Sequence, residues 1–177
     1  MNNNNNITTE YNLTYSNIKD QYQEFVDKNG PYKYFVTITL SRDYNQYQLY
    51  DRVNFLLKAL SRNIFNSKKN EILLSGFCFI ESSGNASRCG KHIHMIIKDN
   101  IKLDAKKPFE DTFNDSVDRV KVMINGDYIQ KNEFDRACIC VEPITNQKHL
   151  IEYLTDEFWK DKDGNFIKPI DKNGLVV

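Results

Sequence analysis

Lys91-His92-Ile93-His94-Met95-Ile96-Ile97 reads as a β-strand, closed by the polar Lys98-Asp99-Asn100. Successive side chains in a strand point to opposite faces, so His92 and His94 share one face while Ile93 and Met95 point into a core. The chain has only three histidines, and two of them are here. Upstream, an apolar strand from Ile72 to Phe79 runs into Ile80-Glu81-Ser82, and the stretch between, Ser83 to Gly90, is rich in turn residues. The two strands are therefore expected to pair as an antiparallel hairpin with Glu81 near the histidines. Two neutral imidazoles and a carboxylate suit a divalent ion that keeps open positions, a Lewis-acid site more than a closed structural one.

Working outward, Tyr34 to Leu40 alternates Phe35, Thr37 and Thr39 against Val36, Ile38 and Leu40 and predicts a first strand. Its threonine hydroxyls are candidates for touching a nucleic-acid backbone. Leu49, Val53, Leu56, Leu57, Leu60 and Ile64 form an apolar stripe that predicts a helix from about Gln46 to Phe65. A short amphipathic helix is expected over Ser16 to Asp27. Another is expected from Asp104 or Lys106 to Val122, with Pro108 in its first turn. Asn125-Gly126-Asp127 marks a turn, Ala137 to Val141 a last strand, and Thr145 the N-cap of a helix from Asn146 to about Trp159. An extended run from Asn165 to Ile170 closes the chain.

The resulting order, helix, β, α, β, β, α, β, α, contains the ferredoxin-like β-α-β-β-α-β succession. It predicts an α+β fold in which an antiparallel sheet carries helices on one face and leaves the other free for a ligand. Residues 1–14, with Asn at positions 2 to 6, are expected to be disordered, and residues 15–177 to form one domain.

Composition narrows the function. Lys and Arg number 24 and Asp and Glu 24, so no global basic field draws nucleic acid in, and any such binding must use a local patch. The cationic candidates are Arg42 just past the first strand, Lys91 beside the histidines, and Lys148 and Lys160 near the last helix. The four cysteines form no Cys-x-x-Cys pair, and Cys78, Cys138 and Cys140 fall in predicted strands, where a free thiol behaves as a small buried hydrophobe. With no apolar run near the roughly 18 residues of a membrane span, a soluble cytoplasmic protein is expected.

The strand Tyr34-Phe35-Val36-Thr37-Ile38-Thr39-Leu40, the Glu-tipped strand, the His-hydrophobic-His strand, and a helix carrying a tyrosine in His149-Leu150-Ile151-Glu152-Tyr153-Leu154-Thr155 follow one another in a telling order. Over roughly residues 33 to 160 the chain resembles the HUH endonucleases, and among them the single-tyrosine initiators of rolling-circle replication. The resemblance implies metal-assisted nicking and joining of single-stranded DNA at a replication origin, with Mg²⁺ or Mn²⁺ as cofactor and a host helicase and polymerase as further partners. It implies metal ligation by Glu81, His92 and His94, and a 5′-phosphotyrosine link through Tyr153. His149 or the bound metal would help Tyr153 lose its proton, and Glu157 is a candidate fourth ligand. Many such initiators carry Tyr-x-x-Lys on this helix, whereas Asp156 stands at the lysine position, with Lys148 and Lys160 as substitutes from neighbouring turns. Tyr128 is the fallback nucleophile.

Two other readings compete. A non-catalytic single-strand binding module would stack bases on Tyr32-Tyr34 and Tyr44-Tyr47-Tyr50, but leaves Glu81, His92, His94 and Tyr153 without a purpose. A single-tyrosine transposase shares the His-x-His and helix tyrosine, whereas a relaxase usually places its tyrosine ahead of the histidines.

Overall fold

The structure is a computed structural model that describes residues 15–40, 44–81, 92–124, 127–130, 134–156 and 167–175. In chain order its elements are α1 (Tyr15–Lys28), β1 (Tyr32–Thr39), α2 (Gln46–Phe65), β2 (Gly76–Glu81), β3 (His92–Lys98) and α3 (Phe109–Val117), then β4 (Lys121–Ile124), β5 (Asp127–Gln130), β6 (Cys140–Pro143), α4 (Gln147–Thr155), β7 (Ile167–Asp171) and β8 (Gly174–Leu175). Six strands form one antiparallel sheet in the order β6-β1-β3-β2-β7-β8, and β4 pairs with β5 alone. The fold is α+β, and the placing of β1 and β3 between β6 and β2 is compatible with a ferredoxin-like arrangement.

The helices lie on both faces of the sheet, not on one. Val36, Ile38, Ile93, Met95 and Ile97 pack with the α2 stripe and with Phe109 and Phe113 of α3 in one core. On the opposite face Phe77, Phe79 and Ile96 pack with Val26 of α1 and Ile151 and Leu154 of α4 in a second. The reason is hydrophobic: β2 alternates on both sides with apolar residues, so an uncovered face would leave Phe77 and Phe79 in water. Polar ties fasten this second layer. Gln23 donates to the Thr155 hydroxyl at 2.7 Å, Gln147 donates to Asp27 at 2.7 Å, and Lys19 pairs with Asp156.

Several boundaries move for identifiable reasons. Asn45 caps α2 with a full capping box to Gln48, so the helix runs as its stripe predicts. β2 starts only at Gly76, where a Cβ would lie 1.9 Å from the Ile96 carbonyl oxygen and keep the strands apart. The third helix is shorter than expected: Pro108 is its N-cap, and it ends at Val117. Val122 lies instead in the hairpin of β4 and β5, where Ile124 pairs with Asp127 on either side of Asn125-Gly126, the dipeptide that favours a two-residue hairpin loop. Asp135 caps a 3₁₀ turn at Arg136–Cys138, which displaces the expected strand to Cys140–Pro143. Cys78 is buried as expected, but Cys138, in the 3₁₀ turn, is half-buried, and Cys140 is exposed because β6 is an edge strand. Asn146, not Thr145, caps α4, accepting from the His149 amide at 3.1 Å.

Lys33 and Tyr34 meet Asp104 beside the start of α3. Desolvation works upward on the Asp104 carboxyl, but hydrogen bonds from Lys33, Tyr34 and the Phe109 amide hold it below its ordinary value. Desolvation and the same carboxylate push the Tyr34 phenol up to about 12. A carboxylate with a depressed folded pKa adds stability above its unfolded value, and that stability is lost as pH falls through the folded one. The advantage of the natural chain over Asp104→Asn, measured by urea unfolding, should be constant above about pH 5 and shrink below about pH 4. A difference independent of pH would contradict it.

Candidate functional site

The site is built on the sheet face that α1 and α4 cover. Register sets its rows. Thr39 on β1 and Glu81 on β2 flank His92, and Thr37 and Phe79 flank His94. Directly paired residues in an antiparallel ladder project from the same face, so both histidines share one surface with Thr37, Thr39 and Phe79. The side chain of Glu81 lies outside the described residues, as do Arg42, Lys91, Glu157 and Lys160 and the side chain of Tyr128.

The histidines are held by the threonines opposite them. Thr37 Oγ1 lies 2.9 Å from His94 Nδ1, and Thr39 Oγ1 lies 3.0 Å from His92 Nδ1. With the proton on Nδ1 each ring donates to its threonine and turns the Nε2 lone pair away from the strand. Phe35 stacks on His94 with centroids 5.5 Å apart and an interplanar angle of 20°, which fixes the ring plane further. Both hydroxyls that the sequence offered to a nucleic-acid backbone thus face imidazole nitrogens. Thr39 is only 1% exposed, and both hydroxyls are engaged with imidazole.

Tyr153 reaches the same place from another part of the chain. Burial of Ile151 and Leu154 against the sheet turns the opposite flank of α4 outward, and Tyr153 is 58% exposed there. Its ring meets that of His94 edge to face at a centroid distance of 6.5 Å. His149, one helical turn earlier, lines a groove with Tyr153, Phe35, Glu142 and Leu150. Lys148 is exposed on the same helix but does not line that groove. Phe35 and Glu142 were not singled out from the sequence. The alternation that puts Phe35 beside Thr37 was visible, but its pairing with Glu142 is a matter of register between strands more than a hundred residues apart.

Two imidazoles on one face are donors of the kind a divalent ion would take. Two imidazoles at i and i+2 present nitrogen from one face, and the Glu81 backbone stands across from His92. Among the described side chains no group of three His, Cys, Asp or Glu residues is assembled. On the edge strand Cys140 pairs with Thr37. Desolvation first and the Glu142 carboxylate second push its thiol up, so it stays protonated near neutral pH.

The tyrosine platform of the competing reading is not available. Tyr32, Tyr44 and Tyr50 are buried, and Tyr34 stacks on Phe109 at 4.5 Å on the α3 side; Tyr47 alone of the five is fully open. No helix among the described residues is long and apolar enough to cross a membrane. Compared with protein-family models, curated proteins and solved structures, the chain matches none of them.

Proposed function

We propose that the protein is an HUH-type endonuclease that nicks and rejoins single-stranded DNA through Tyr153 and so initiates rolling-circle replication. The observation that carries this reading is the meeting of Tyr153 with His94, beside His92, on one sheet face, from elements that share no local sequence. His92 and His94 through Nε2, with Glu81, would hold Mg²⁺ or Mn²⁺. When bound, such an ion neutralises charge on the oxygens of the scissile phosphate.

The chain's own groups do the rest. The Tyr153 oxygen attacks phosphorus, a phenolic O–P bond forms as the bond to the 3′ oxygen breaks, and the released 3′ oxygen takes up a proton. Tyrosine ordinarily loses its proton only near pH 10, so a base must stand close. His149, on the same groove, is assigned that role. Reversal of the two bond changes rejoins the strand, and because the phosphotyrosine keeps the energy of the phosphodiester, no nucleotide cofactor is consumed.

The reading is tested by incubating the protein with labelled single-stranded DNA, with Mn²⁺ or with EDTA, and resolving the products on a denaturing gel. A covalent adduct that needs the metal supports it. Failure to form one on the strand of its own replicon would move the assignment to a binding module.

The threonines supply a further prediction. Outer hydrogen-bond partners of metal-binding histidines are typically worth about ten- to a hundredfold in affinity. Thr37→Val with Thr39→Val should weaken Mn²⁺ binding by about that factor, while Ser at both positions should retain it. Imidazole ¹⁵N shifts of the metal-free protein give an independent reading: loss of the Nδ1-protonated form in the Val variant alone is expected. Unchanged Mn²⁺ affinity in that variant would remove the threonines from the site.

A further inference from the structure

The groove between β6 and α4 runs beside Tyr153 and has its own chemistry. Phe35, Pro143, Ile144 and Leu150 make apolar walls, and Glu142, Thr145, Asn146, His149 and Tyr153 bring the polar atoms. Its volume is about 220 Å³, below the roughly 300 to 1,000 Å³ of sites for drug-sized ligands, so it takes one planar group and not a long one. Glu142 is directed to this side of the sheet by its pairing with Phe35. A carboxylate there repels a phosphate, so the group that meets Glu142 must bring hydrogen-bond donors.

We propose that this groove is a base-reading subsite which holds the nucleobase beside the scissile phosphate, and that Glu142 selects guanine. The inference rests on the single-stranded DNA reading and deepens it. In a single strand the Watson–Crick edge is open to a protein. Guanine presents two adjacent donors there, N1–H and the N2 amino group, which match the two oxygens of a carboxylate. Adenine and cytosine set one amino donor beside a ring-nitrogen acceptor, and thymine sets its one N–H between two carbonyl oxygens, so each turns at least one acceptor toward Glu142. The Cys140 thiol hydrogen-bonds to Glu142, but a carboxylate has about four acceptor sites and retains enough for a base. The apolar walls and the Tyr153 ring offer the base faces to stack on.

The test titrates the full chain and its Glu142→Gln variant with the 2′-deoxynucleoside 5′-monophosphates of guanine, adenine, cytosine and thymine, following the ring resonances of His149 and Tyr153. The guanine nucleotide should bind about tenfold or more tightly than the thymine nucleotide, the scale of one bidentate base contact. In Glu142→Gln the preference should move toward adenine, whose donor and acceptor match an amide. Equal binding of all nucleotides, or a guanine preference that survives Glu142→Gln, overturns the inference. A second arm sequences adducts formed on a single-stranded pool with randomised positions, where guanine should be enriched next to the cut. Adducts without that enrichment sink the subsite and leave the nuclease. Guanine-selective nucleotide binding with no adduct from any strand sinks the nuclease and leaves a guanine site.

Discussion

Tyr153→Phe is expected to lower covalent adduct formation by about a thousandfold or more, the scale on which loss of an activated nucleophile acts. The substitution removes one oxygen and little else. Tyr153 is 58% exposed, and its ring keeps the edge contact to His94 when the hydroxyl is gone. Stability and single-strand affinity should therefore stay close to those of the natural chain, within about 0.5 kcal/mol for the former. The measurement is a single-turnover assay on labelled single-stranded DNA with Mn²⁺, read on a denaturing gel, beside a urea unfolding curve. An adduct formed at the normal rate by the Phe variant would transfer the nucleophile to another residue, Tyr128 first. Loss of adduct together with loss of folding would say only that α4 had been disturbed, which is why the unfolding curve belongs to the experiment.

The largest stability effect is expected at Phe79. Its side chain is fully buried, stands in register with His94 on β3 and Ile167 on β7, and packs in the layer that joins the sheet to α1 and α4. Phe79→Ala should cost about 3–5 kcal/mol, the sum of lost apolar burial and the cavity left behind. Against a total stability of about 5–15 kcal/mol for a domain of ordinary size, that is a large share. The same packing holds α4 down through Ile151 and Leu154, so the variant should also loosen Tyr153 from His94 under conditions where the chain stays folded. Urea unfolding gives the first quantity, with a lower midpoint and an unchanged slope. A cost below about 1 kcal/mol would mean that this layer does not close over Phe79 as described.

How far the sequence reaches can be argued from these residues. Strict alternation in Phe35-Val36-Thr37-Ile38-Thr39 and in His92-Ile93-His94-Met95 was enough to place the threonines and the histidines each on one face, because the period of a strand is local. The α2 stripe was legible for the same reason, whereas its Asn45 cap was shown only by the structure. The order α1, β1, α2, β2, β3, α3, β6, α4, and the pairing of Glu81 with His92, also followed from the chain alone, whereas the β4–β5 hairpin did not.

Tertiary structure decided what local period cannot express. Thr37 meets His94 and Thr39 meets His92 because β1 lies beside β3, a neighbour relation between residues more than fifty positions apart. The Tyr34 ring stacks on Phe109 while Tyr32, two residues earlier, joins the opposite core, because a register shift separates them. Phe77 and Phe79 forced helices onto the face that the sequence left open, and α4, docking there, brought Tyr153 to His94. Periodicity states which way a side chain points. Which surface it then meets depends on how much apolar area each remaining face must remove from water, a sum over the whole chain.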